Sequence, residues 1–200
     1  RLVGSEMCIR DRIKENKIQL CEELNIPKDA ILILSVGELN ANKNHKIVIE
    51  ILPELPNNVH YLMCGDGQLK EQHERLAKKL HVSDRLHFLG YRKDVIKIMK
   101  SCDIFVFPSK REGLSVALME AMACGLPCVV SKIRGNEDLI ENEKGGYCVD
   151  LENESFNIYI NKILELDLSR SMAAFNYNKV SNYSIKKVNL KMREIYERNE

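Results

Sequence analysis

The chain has almost no net charge. Its 30 lysines and arginines stand against 29 aspartates and glutamates, leaving +1. Bulk electrostatics therefore give no support for binding nucleic acid. No stretch approaches the roughly 18 consecutive apolar residues that a membrane-spanning helix needs. Low-complexity tracts and internal repeats are missing, and so is the G-x-G-x-x-G fingerprint of dinucleotide binding. Seven cysteines are present (Cys8, Cys21, Cys64, Cys102, Cys124, Cys128 and Cys148), but none are paired as CxxC. That spacing suggests neither a zinc site nor a disulfide framework. Scattered through apolar contexts, they read as buried free thiols in a reducing cytoplasm. What is present, 44% apolar and 30% charged residues over 200 positions, suits one globular domain with a full core.

The first twelve residues, RLVGSEMCIRDR, differ in character from the rest of the chain. Back-translated, they match in frame a transposase-type sequencing-library adapter. Residues 1–12 are therefore expected to be non-native and are set aside, as a fusion scar would be. A targeting peptide does not fit, because no apolar core is present and Glu6 and Asp11 are acidic. Removing the segment leaves 27 basic and 27 acidic residues. The expected organisation is a Rossmann-like domain over 13–182, followed by a terminal helical segment over 183–200.

Short apolar runs bounded by Gly, Pro, Asn or Asp predict strands at Ala30–Gly37, Val59–Gly65, Arg85–Gly90, Ile104–Ser109, Pro127–Ser131 and Gly146–Val149. ILILSVG and CDIFVFPS are continuous apolar runs, as in strands covered on both faces of a parallel sheet. Between them lie helical patterns at Lys43–Leu52, Gln68–Leu80, Asp94–Ser101, Leu114–Cys124 and Asn136–Asn142. Three more come after the last strand, at Asn153–Leu166, Leu168–Ser181 and Ile185–Arg198. The alternation predicts an α/β fold, a doubly wound parallel sheet of about six strands with helices on both faces. In such sheets ligands bind beyond the carboxyl ends of the strands, so functional residues are sought just after them.

Four post-strand segments carry candidates. After the first strand, VGELNANKNH places Gly37 at the strand end and Lys43 at the start of the next helix. His45 reads as a surface or capping histidine and is given no role. After the second, CGDGQL sets Gly65 and Gly67 in a tight turn of the kind glycines make at positive φ. After the third, Tyr91 and Arg92 precede a helix that Asp94 helps to start. After the fourth comes the most informative stretch, SKREGLSVALMEAMACGLPCVVS. Glu112 lies in a polar turn and Glu120 is the only charge on the helix beyond it. That helix is apolar nearly all round, which predicts burial, and a buried carboxylate needs a partner. The helix start at Gly113, Leu114, Ser115 and Val116 would offer unpaired N–H groups and a positive dipole end to an anion. Glu120 lies six residues beyond Leu114, about 9 Å along the axis, near where a ribose would fall.

Glu112 and Glu120, seven residues apart, together with their context and the strand-following motifs, resemble the donor-binding domain of family-4 retaining glycosyltransferases of the GT-B fold. The closest resemblance is to those building bacterial capsule or exopolysaccharide. It extends from Lys14 onward and implies the C-terminal half of a GT-B fold. It further implies transfer of a sugar from a nucleotide diphosphate sugar, with retention, to a saccharide or lipid-linked acceptor. Glu112 would approach the transferred sugar and Glu120 would bind the ribose. Lys43 and the helix amides would stabilise the leaving diphosphate. Gly65 and Gly67 would lie near the nucleotide, and the loop at Gly90, Tyr91 and Arg92 would pass the base through main-chain groups. No cofactor and no bound metal is implied. Glu38 stands where the family often has arginine, so half of the basic clamp is replaced. The resemblance also implies a cytoplasmic enzyme, its full-length form associating peripherally with the inner face of the plasma membrane. Its N-terminal domain would supply the acceptor surface. With about 29 residues before the first strand, this chain is expected to be a half-enzyme. A nucleotide-sugar epimerase and a non-catalytic nucleotide-sugar-binding module are the alternatives.

Overall fold

A computed structural model describes residues 15–166 and 168–183 of the chain. The segment 1–12 and the helix expected at Ile185–Arg198 lie outside the described residues. The strands are Ile31–Val36 (β1), Val59–Cys64 (β2), Leu86–Gly90 (β3), Ile104–Phe107 (β4), Cys128–Ser131 (β5) and Gly146–Val149 (β6). They form one six-stranded sheet in the order β3-β2-β1-β4-β5-β6, with every neighbouring pair parallel. Every position of β2, β4 and β5 is buried, as the continuous apolar runs require.

Helices cover both faces. They are residues 15–23 (α1), Lys46–Ile51 (α2), Lys70–Lys79 (α3), Val95–Met99 (α4), Val116–Ala123 (α5), Arg134–Glu137 (α6), Asn153–Glu165 (α7) and Ser169–Val180 (α8). Alternate residues of each strand feed opposite sides. Ile33, Tyr61 and Met63 pack with Val48 and Ile51 of α2 and with Phe156 and Ile160 of α7. Leu32, Leu34 and Phe105 pack with Leu20 of α1, Met99 of α4, and Leu118 and Met122 of α5. Among the described residues no helix is long and apolar enough to cross a membrane.

The other helices match expectation to within two residues at each end, and the informative departures are these. α2 begins at Lys46 rather than Lys43, because the Asn40 side chain turns the chain first. Its Oδ1 accepts the N–H groups of Asn42 and Lys43, each at 3.0 Å. α5 begins at Val116 rather than Leu114, since Ser115 caps it, accepting the Leu118 N–H at 3.4 Å. Nor is α5 buried all round: Leu118, Ala121 and Met122 are buried, but Val116 is 62% exposed. The helix expected at Asn136–Asn142 is instead the single turn Arg134–Glu137. Asn136 is drawn back toward β5, donating to the Ser131 carbonyl at 2.9 Å. Helix α1 was not anticipated. It buries Leu20 and Cys21 and ties Lys17 to Asp103, ahead of β4, at 2.7 Å.

Candidate active site

From β1 the chain first adds strands on one side, β2 then β3, and then returns to add β4, β5 and β6 on the other. The gap between the carboxyl ends of β1 and β4 is therefore the switch point, the crevice where open α/β sheets bind ligands. Two loops meet there, one after β1 and one after β4.

Lys43 and Glu112 come together across the switch point. The Lys43 Nζ stands 2.7 Å from Glu112 Oε1, and the two side chains are only 19% and 13% exposed. The ammonium also lies 4.5 Å from the centre of the Phe107 ring, a cation–π contact. The Lys43 stem runs over Gly37, so closely that a Cβ at Gly37 would stand 2.9 Å from Lys43 Cε. Asn42 joins the two loops directly. Its Nδ2 donates to the Arg111 carbonyl at 2.9 Å, its Oδ1 accepts the Arg111 N–H at 3.1 Å, and its carbonyl accepts the Lys110 N–H at 2.8 Å.

Residues 113–115 lead from Glu112 into α5. Among the described residues no hydrogen bond engages the amides of Gly113, Leu114, Val116 or Ala117, so these donors are open at the positive end of the helix. A Cβ at Gly113 would meet nothing within 4 Å, leaving its backbone approachable. Glu120, half-buried on α5, has no hydrogen bond or ion pair to its carboxylate among the described residues.

Behind this loop lies a polar network that was not read from the sequence. Ser131 donates to the Ser109 carbonyl, and Asn136 donates to the Ser131 carbonyl and, at 3.2 Å, to its hydroxyl. Gly135 presses on the loop itself: a Cβ there would stand 2.0 Å from the Gly113 carbonyl oxygen and 2.8 Å from that of Glu112. Asn40 is signalled by the known habit of asparagine in turns. Asn42 and Gly135 carry no signal of their own, since each matters through a contact with a loop distant in sequence.

Beside the Lys43–Glu112 pair a crevice of about 400 Å³ opens, lined by Gly37, Glu38, Gly65, Asp66, Tyr91 and Arg92 among others. Gly65 has φ +143°, and a Cβ there would collide with the Gly37 carbonyl at 2.0 Å. Gly67 is not at positive φ, contrary to expectation. It is glycine for space, since a Cβ would fall 2.6 Å from the Leu39 carbonyl. Tyr91 is 85% exposed at the crevice mouth. Arg92 is not a free cation: it donates to Asp94 at 2.8 and 2.9 Å and to Glu23 of α1. Those bonds hold Arg92 charged, its pKa pushed above the usual arginine value, and hold Asp94 below the usual carboxylate range. Asp94 sits at the start of α4 but gives no side-chain cap, because Arg92 takes its carboxylate. Glu38 is exposed, accepting from Asn40 Nδ2 at 2.9 Å. A second cavity of about 450 Å³ lies at the opposite, amino-terminal edge of the sheet, beside Ile31, Asp103 and Pro127. None of the candidate residues reaches it.

His45 is not exposed, and although it stands at the N-cap position of α2 its side chain makes no capping bond. It is 1% exposed, with its Nδ1 2.9 Å from the Tyr61 hydroxyl, which in turn donates to Ser35 at 2.8 Å. Burial lowers its pKa to about 3. Among the described residues no group of three or more His, Cys, Asp or Glu side chains is arranged to hold a metal ion.

The chain has relatives in sequence and in fold among known proteins. The chain is 31% identical over 191 residues to a UDP-Gal:alpha-D-GlcNAc-diphosphoundecaprenol alpha-1,3-galactosyltransferase of Escherichia coli. The match takes in 90% of this chain and 49% of that enzyme. It is 32% identical over 124 residues to a diphospho-undecaprenol 4-alpha-N-acetylgalactosaminyltransferase of Campylobacter jejuni, covering 62% of this chain and 34% of that enzyme. The chain thus spans half or less of the length of these relatives. In fold it is similar to Anabaena HepE solved in complex with UDP and glucose, with a TM-score of 0.83 and 23% identity over 92% of this chain and 52% of HepE. The family model described as glycosyl transferases group 1 matches residues 16–180, and the chain belongs to that family.

Proposed function

We propose that this chain is the donor-binding half of a retaining glycosyltransferase. It would bind a nucleoside diphosphate sugar at the switch point, for transfer to a saccharide or lipid-linked acceptor in cell-surface polysaccharide synthesis. The observation that carries the reading is the convergence of Lys43, Glu112 and the open start of α5 at the switch point, beside the crevice. The relatives' names add support: two act on undecaprenol-linked sugars, and one of these names a UDP sugar as donor.

In this reading the diphosphate lies between Lys43 and the amides of Gly113 to Val116. Both are positive before the reaction begins, so they stabilise the charge that builds on the leaving group without reorganising. The bond from the anomeric carbon to the diphosphate oxygen breaks. The acceptor hydroxyl oxygen bonds to that carbon from the same face, and its proton passes to the departing diphosphate. Glu112 faces the transferred sugar and Glu120 takes hydrogen bonds from the ribose. The nucleoside runs toward Gly65, Gly67 and the backbone at Tyr91 and Arg92, with the Arg92 side chain serving as a tether. Basic groups and a helix start supply the neutralisation that a metal gives elsewhere. The acceptor surface and the closure that excludes water belong to an N-terminal domain, placed at the membrane face.

Calorimetry with UDP and GDP tests the donor site. The wild type should bind at least one of them. Glu120→Gln keeps volume but loses a charged hydrogen-bond partner, weakening that binding roughly ten- to hundredfold. Binding of neither nucleotide, or unchanged binding in the variant, would refute the assignment. Turnover is tested with radiolabelled donor and a panel of lipid-linked acceptors, using the chain alone and fused at Ile13 to an N-terminal domain from a relative. Only the fusion should transfer sugar.

A further inference from the structure

We infer that Asn42 is a positioning residue: it sets the separation between Lys43 and the Glu112–α5 segment, and so the grip on a diphosphate. The inference rests on the donor-site reading above.

Lys43 and Glu112, which leads into α5, sit on loops 69 positions apart in sequence, and each loop is otherwise attached mainly to its own side. The loop after β1 is held by Asn40, which accepts the Asn42 and Lys43 amides, and by the Leu39 N–H donating to the Asp66 carbonyl at 3.0 Å. The Glu112–Gly113 segment is backed by Gly135. Direct bonds between the two loops come from two residues. One is the Lys43–Glu112 ion pair, whose ends are the long, jointed tips of side chains. The other is Asn42, whose three bonds run to backbone at Lys110 and Arg111.

The difference in kind matters. An ammonium can swing to a new partner, and it must if it is to meet a diphosphate instead of Glu112. The asparagine amide has two rotatable side-chain bonds and pairs donor to carbonyl and acceptor to N–H on a single residue. It fixes two backbones in register whichever partner Lys43 takes. Arg111 is the residue immediately before Glu112, and Asn42 is the residue immediately before Lys43. The clamp therefore lies one residue from each member of the pair, and reaching a diphosphate from both sides depends on it. Without it, Lys43 and the open amides of α5 would approach the two phosphates with a variable gap between them.

The test is a double-mutant cycle read by calorimetry with UDP and GDP, at nucleotide concentrations that reach millimolar Kd. Asn42→Ala should weaken binding of the nucleotide that the wild type takes by about tenfold, as loss of two backbone-directed bonds would. In the Lys43→Ala background the same change should alter affinity by less than about twofold, because one jaw of the grip is already gone. Asn42→Asp is isosteric and sets a carboxylate oxygen against the Arg111 carbonyl. It should reproduce the Asn42→Ala loss without leaving a gap, which covers the case in which alanine fails to fold. A merely structural role would lower affinity by the same factor with or without Lys43, and that additivity would overturn the inference. Undiminished binding in both Asn42 variants would overturn it as well. Failure of the wild type to bind either nucleotide sinks the donor-site reading, and this inference with it, whereas wild-type binding with additive losses overturns the clamp alone.

Discussion

Gly135→Ala puts a methyl group where the backbone of the Glu112 loop now lies. The added Cβ would sit 2.0 Å from the Gly113 carbonyl oxygen and 2.8 Å from the Glu112 carbonyl oxygen, against a practical floor of 3.0 Å for such contacts. Neither obstacle is the movable end of a side chain, so α6 and the loop must part by about 1 Å. Overpacking of this kind costs about 1–3 kcal/mol. For a protein of this size that is a fall in Tm of roughly 2–12 °C. Pushed from the α6 side, the loop would give way toward the switch point. A shift of about 1 Å there would change the gap between Lys43 and the open amides that follow Glu112, and displacements of that order cost up to about a hundredfold in rate when they misplace reacting groups. Gly113→Ala is the matched control, because its Cβ would meet nothing within 4 Å. Thermal unfolding of both variants, with calorimetric titration of UDP and GDP, separates the cases. Gly135→Ala should melt lower and bind more weakly, while Gly113→Ala should melt like the wild type. A Gly135→Ala variant melting within about a degree of the wild type, with unchanged nucleotide affinity, would refute the reasoning.

Two other outcomes are expected. Glu112→Gln should act in opposite directions on binding and on transfer: freeing Lys43 from its counter-ion should tighten UDP or GDP by about two- to fivefold, the worth of a partly exposed ion pair, while the fused enzyme loses turnover; weaker nucleotide binding in this variant would show that Glu112 supports the diphosphate rather than competing with it. Burial holds His45 neutral down to about pH 3 and His87 down to about pH 4, so below pH 6.5 the unfolded chain takes up protons that the folded one refuses, and stability should fall as pH drops from 6.5 toward 4.5 by about 1.4 kcal/mol per pH unit for each ring; NMR titration of the histidine ring signals checks this directly, and a midpoint near 6.5 for both would contradict it.

Much of the fold was legible because the signals were local. Six apolar runs bounded by turn residues became six strands, and ILILSVG showed its double burial in composition alone. The helix starts were less legible, since short polar side chains decide them. Asn40 delays α2 and Ser115 delays α5, each by bonding to backbone amides that periodicity ignores. Helix α1 was missed because its buried surface is small and its anchors, Asp103 and Arg92, lie far along the chain. For the site, motif spacing brought Lys43, Glu112 and the start of α5 to the same edge of the sheet. Arg92 reads as a cation in the sequence, yet two carboxylates claim it. Gly67 and Gly135 are glycines because another backbone passes beside them, a reason that only the folded chain displays.

The turns after β1 and β2 touch backbone to backbone, with a Gly65 Cβ excluded by Gly37 and a Gly67 Cβ excluded by Leu39. Neither turn can therefore accept a side chain while the other stays put, and a redesign that changes one must rebuild both. Under the proposed donor-site reading, altering which nucleotide this crevice takes is then not a task for the turns. The adjustable positions are the side chains that project from the rim, Glu38 and Tyr91, both exposed. A library randomised at those two sites would vary the lining of the crevice while leaving its floor intact.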